Sequence, residues 1–168
     1  MAQDNGGTIT AAMPIINLTA LAAALPRGAR LIGLDPGRRH IGVALSDVEL
    51  RLAGPYATLK RGRLAANAAE IAAIARREGA GALVVGLPLA MDGSIGPAAQ
   101  AARDWTHALS TATGLPAALW DERLSTAAVE RMLIGTADLS RRRRAQVVDR
   151  AAAAWMLQGA LDAWARAR

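Results

Sequence analysis

The sequence predicts an α/β protein built on one mixed five-stranded sheet, a three-strand antiparallel meander plus two parallel strands, flanked by helices. Three observations lead there. Three short apolar runs follow one another closely after residue 30, too closely spaced for helices between them. A continuous β-branched run, ALVVG, then lies between two stretches of helical periodicity, the mark of a strand buried on both faces. The chain closes on helices, so the order βββαβαβαα combines a meander with right-handed crossovers.

Each element has its own signal. Residues 1–28 read as an N-terminal extension, polar at first and then a short apolar piece from Asn17 to Leu25, closed by Pro26 and Gly28. Residues 29–168 form the single domain. Its first strand is LIGLD, its second IGVALSD after a Pro-Gly turn, and its third runs from Gly54 to Lys60. Leu64, Ala68, Ile71 and Ile74 stand at helical spacing, with Gly79 beyond the end. ALVVG is followed by the loop LPLAMDGSIGP, and Pro97 opens a helix that reaches Thr113 before Gly114. LPAALWDE is the last strand. One helix is expected after Ser125 and another from about Ser140, its N-cap, to Trp164. This order of elements matches the ribonuclease H-like fold.

Composition narrows the chemistry. A chain of 168 residues sustains one core and, by default, one site. It has no cysteine, so a metal would be held by oxygen or by the two histidines, which favours hard cations over zinc. The formal charge of +6 suits a polyanionic partner such as nucleic acid, although the bias to arginine over the single Lys60 also fits GC-rich coding. The apolar stretches are too short and interrupted for a membrane span, and the N-terminus lacks the cationic start of a signal peptide. A cytoplasmic protein with no membrane partner is expected.

Three carboxylates stand out. Asp35 ends the first strand before Pro36 and Gly37, and the crevice beyond strand carboxyl ends is where open α/β sheets bind ligands. Asp121 and Glu122 end another parallel strand and should reach the same edge. Asp149 lies inside the final helix among Val147, Val148 and alanines, where an unpaired carboxylate is costly unless a metal or a base offsets it. At 3.6 residues per turn it shares a face with Arg142, Ala145, Gln146 and Ala153. The run Arg141 to Arg144 opposes the helix dipole, a conflict that a bound phosphate would reverse. Arg38, Arg39 and His40 form a second basic cluster beside Asp35. His107 is expected on the surface, and the four tryptophans are expected to be core residues in a chain without phenylalanine.

The segments LIGLDPGRRHIGVALSD, VVGLPLAMDGSIGP, DERLSTAAVE and RRRRAQVVDRAAAA, in that order, resemble the YqgF/RuvX family of pre-16S ribosomal RNA nucleases, also described as Holliday junction resolvases. The match spans about Arg30 to Trp164. The resemblance implies a ribonuclease H-like fold and an enzyme that hydrolyses phosphodiester bonds with one or two Mg²⁺ or Mn²⁺ ions. It further implies work in the cytoplasm on the 5′ end of small-subunit rRNA. It places the catalytic and metal-binding acids at Asp35, Glu122 and Asp149, with Asp121 an alternative to Glu122. Arg38, Arg39, Arg123 and Arg142 would then position the phosphate backbone.

Two departures matter. The family's first motif usually reads D-x-G-T-K-x-I-G, whereas Arg38 and Arg39 follow the glycine here. True junction resolvases carry a glutamate at the end of the fourth strand, where this chain has Gly86, Leu87 and Pro88. Branched DNA is therefore the second substrate class. A catalytically silent nucleic-acid-binding module is the rival of another kind, and monomer and homodimer are both open.

Overall fold

The computed structural model describes residues 15–121 and 141–167. A short helix α1 (Leu18–Ala24) precedes strands β1 (Arg30–Pro36), β2 (His40–Ser46) and β3 (Ala53–Lys60). Helix α2 (Leu64–Glu78), strand β4 (Ala80–Leu87), helix α3 (Pro97–Thr113) and strand β5 (Ala117–Asp121) follow, and α4 (Arg141–Arg166) closes the chain. The sheet order is β3-β2-β1-β4-β5. β1 runs antiparallel to β2 and parallel to β4, so it joins the meander to the crossover half. This is the mixed five-stranded sheet that the element order predicts. The expected helix after Ser125 and the Ser140 cap lie outside the described residues.

Side-chain alternation divides the core in two. Ile32, Leu34, Ile41, Val43, Leu83 and Val85 face α2 and α3, where they meet Ile71, Ile74 and Leu109. Leu31, Ala44, Ala82, Val84 and Ala118 face the other way, onto Ala153, Met156, Leu157, Ala160 and Leu161 of α4. β1 and β4 are thus apolar on both faces, which is why their sequences read as runs rather than as alternations. Residues 15–25 join the second layer: Leu21 is fully buried in it, and Ile16 donates its N–H to the Ala117 carbonyl (3.0 Å). Asn17 caps α1 by accepting from Ala20 N.

α4 lies close on the sheet because glycines stand beneath it. A Cβ at Gly33 would lie 2.9 Å from Leu157 Cβ, and one at Gly42 would overlap the Asp149 carbonyl oxygen. Close approach keeps rings from the centre of this layer, and the expectation for the tryptophans holds in part: Trp120 and Trp164 pack against this core and Trp105 against the other, whereas Trp155 does not. Trp155 is 49% exposed on the outer side of α4, while Trp105, Trp120 and Trp164 are only half-buried. The largest buried side chains are instead leucine, isoleucine, methionine and valine. His107 is exposed, as its helix position predicts.

Candidate active site

Asp35 shares the parity of Leu31 and Gly33, so its carboxylate projects on the α4 side of β1. Its register partner across the hairpin is Gly42. Because the Asp149 backbone lies directly over Gly42, these two contacts bring the side chains of Asp35 and Asp149 into one electrostatic neighbourhood. Burial pushes the Asp149 carboxyl above its ordinary range, nearby His40 pulls it back, and the Asp35 charge pushes it up again. His40 Nδ1 stands 3.9 Å from Asp149 Oδ2. The His40 imidazole and the Asp35 charge therefore both act on Asp149 where β1, β2 and α4 converge.

Backbone contacts hold this corner in place. Gly37 closes the β1–β2 turn by donating its N–H to the His40 carbonyl (2.8 Å), and a Cβ there would crowd that same oxygen at 2.9 Å. The turn itself thus requires glycine. Arg61 Nη1 donates to the Gly37 carbonyl (2.7 Å), and its guanidinium lies 5.5 Å from the Trp105 ring centroid. Thr58 Oγ1 donates to the Gln146 carbonyl (2.9 Å), which ties the first turns of α4 to the edge strand β3.

A basic pocket of about 430 Å³ opens beside the carboxylates. Arg38, Arg39 and His40 line it from the turn, Lys60 and Arg61 from the end of β3, and Arg142 from α4. Among the described residues, no acidic one lines it. Among the described residues, no carboxylate pairs with Arg38, Arg39, Lys60 or Arg142.

The structure thus brings together Asp35, Asp149, Arg38, Arg39 and Arg142. Asp121 ends β5 with the parity of Ala117 and Leu119, whose side chains face α2 and α3, so alternation turns it from the Asp35 side. Glu122 and Arg123 lie outside the described residues, among which no three acidic or imidazole groups are gathered to hold a metal. Sequence reasoning missed the approach of His40 to Asp149 and the contribution of Lys60 and Arg61 to the pocket. The hairpin register would have found the second, because His40, already in the basic cluster, pairs with Lys60.

Comparison with known proteins gives a consistent answer. A protein of Acidiphilium cryptum named "Putative pre-16S rRNA nuclease" is 67% identical over 89% of this chain and 94% of its own length. Proteins of the same name from Gluconacetobacter diazotrophicus and Rhodospirillum rubrum are 63% and 55% identical, over 91% and 93% of this chain and 99% and 97% of their own lengths. Among solved structures, Thermus thermophilus RuvC aligns with a TM-score of 0.49 at 18% identity, over 80% of this chain and 95% of that one. The sequence model of the family described as "RuvX: Holliday junction resolvase" matches residues 29–163. With the family match spanning most of the chain and close relatives along nearly all of it, the chain belongs to the RuvX family.

Proposed function

We propose that this chain is a metal-dependent nuclease that hydrolyses phosphodiester bonds of precursor small-subunit rRNA in the cytoplasm. The observation that carries the reading is the pairing of Asp149, half-buried and held above its ordinary range, with Asp35 beside an acid-free basic pocket. A half-buried carboxylate that also feels a second carboxylate's charge is a poor arrangement for an empty protein and a good one for a hard divalent cation, which offsets both the burial and the repulsion. The donor set fits Mg²⁺ or Mn²⁺ held by Asp35, Asp149 and Glu122. Because alternation turns Asp121 from the Asp35 side, Glu122 is the third ligand of this reading.

When bound, the cation supplies Lewis-acid stabilisation of the charge that builds on the phosphate oxygens. The protein's own residues do the rest. His40 orients the Asp149 carboxylate, Arg61 fixes the turn that carries Asp35 into the site, and Arg38, Arg39, Arg123 and Arg142 hold the substrate backbone.

Asp35→Asn tests the reading. Mg²⁺-dependent cleavage of a precursor rRNA fragment should fall by about 100-fold or more, since the cation's action is worth several kcal/mol. Circular dichroism checks that the fold persists, and a four-way DNA junction assayed in parallel decides between the two substrate classes. Undiminished cleavage by a folded Asp35→Asn variant sinks the assignment.

A further inference from the structure

The basic pocket adjoins the carboxylates through His40, and the fold fixes where its cations stand. Lys60 pairs with His40 and Thr58 with Gly42, so both β3 residues share the face of the sheet that carries α4. The hydrogen bond from Thr58 to the Gln146 carbonyl pins that face to the helix, and Arg142 stands one turn before Gln146. Lys60 and Arg142 are thereby set on opposite walls of one pocket, with Thr58 and Gln146 between them. Seven residues separate Arg142 from Asp149, which at 1.5 Å per residue places the two about 10 Å apart along the axis. Arg61 is already committed to the Gly37 carbonyl and the Trp105 ring, so it shapes the wall. Lys60, Arg142, Arg38 and Arg39 are the cations turned to a ligand.

We infer that this pocket is a discrete subsite for one backbone phosphate of the substrate strand other than the scissile phosphate. The inference rests on the nuclease reading and deepens it: the enzyme engages its strand at two fixed points, the carboxylates and the Lys60–Arg142 pocket. Three separate elements supply the cations, and strand register and hydrogen bonds fix their positions. This geometry distinguishes the pocket from a diffuse positive surface, which would attract every phosphate alike.

The test uses a short single-stranded RNA whose cleaved bond has been mapped with the wild-type protein. Single methylphosphonate linkages, which are neutral, are placed at successive positions on either side of that bond. Binding is followed by fluorescence anisotropy in EDTA, so that cleavage does not intervene. The wild-type protein should show one position, away from the cleaved bond, where the neutral linkage weakens binding by up to about fivefold, the upper range for one exposed ion pair. In Lys60→Gln that penalty should vanish, and the slope of log affinity against log salt should flatten by about 0.7. Arg142→Gln should behave in the same way and serves if Lys60→Gln does not fold. Equal penalties at all positions, or a local penalty that survives both substitutions, overturn the subsite while cleavage stands. A wild-type protein that cleaves no RNA overturns the nuclease reading and the subsite with it.

Discussion

Asp149 carries a penalty in the metal-free protein. Burial is its largest cause, the His40 charge opposes it, and Asp35 adds to it, for a net rise in the carboxyl's pKa. A carboxyl whose folded pKa lies above its unfolded value contributes its full stability below about pH 3.9 and loses it as pH rises through the folded value. Asp149→Asn removes the charge and keeps the size. Without metal, the variant should therefore melt at a higher temperature than the wild type near neutral pH, with the gain fading to nothing toward about pH 3.5. Adding Mg²⁺ should stabilise the wild type and leave the variant nearly unmoved. Thermal unfolding at the two pH values, with and without Mg²⁺, checks this, and a variant less stable than wild type at neutral pH contradicts it. Asp149 was legible in the sequence because a carboxylate among valines and alanines breaks its helix's pattern. His40 was not, because its relation to Asp149 exists only once α4 has folded back over β2.

At the scale of elements, the docking of α4 depends on Gly42, which is both the register partner of Asp35 and the seat of the Asp149 backbone. Adding one methyl there meets a backbone carbonyl, which cannot swing aside as a side chain can. Gly42→Ala should cost about 1–3 kcal/mol, the usual range for overpacking. It should also lower nuclease activity further than the stability loss explains, because the Asp149 turn must lift from Asp35. Gly54→Ala is the control: its Cβ would have nothing within 4 Å, and β3 should accept it with little change. Chemical denaturation and cleavage rates of both variants decide the matter, and equal behaviour of the two removes Gly42 from this role. The elements themselves were legible, since β1 and β4 read as apolar runs and Pro97 and Gly114 bracket α3. The tryptophans were legible in part, since Trp105, Trp120 and Trp164 pack against the cores, but the absence of phenylalanine says nothing about how close two layers lie, and Trp155 stays outside. Alanines of α4 over glycines of the sheet leave room for aliphatic side chains and put the rings at the rim.

In the molecule as a whole, two apolar layers are coupled through strands they share. β1 sends Leu31 toward α4 and Ile32 and Leu34 toward α2 and α3, and β4 divides Val84 from Leu83 and Val85 in the same way. Losing either layer exposes one face of both central strands, so neither layer has an independent folded state. Leu157→Ala in α4 and Ile71→Ala in α2 remove fully buried side chains from opposite sides of the sheet, and each should cost about 2–5 kcal/mol. Both should lower one common transition rather than loosen one half. Tryptophan fluorescence reports mainly on the α4 side through Trp120, Trp155 and Trp164, whereas far-ultraviolet circular dichroism averages over all helices and strands. Coincident unfolding curves by the two probes, for wild type and for both variants, are the expected result of one cooperative unit. If Leu157→Ala instead shifts the fluorescence transition ahead of the circular dichroism transition, α4 unfolds from the sheet separately. Asp149 would then leave Asp35 before the rest of the protein melts, and activity would be lost below the main transition. A single transition therefore means that the two carboxylates stay together for as long as the fold does.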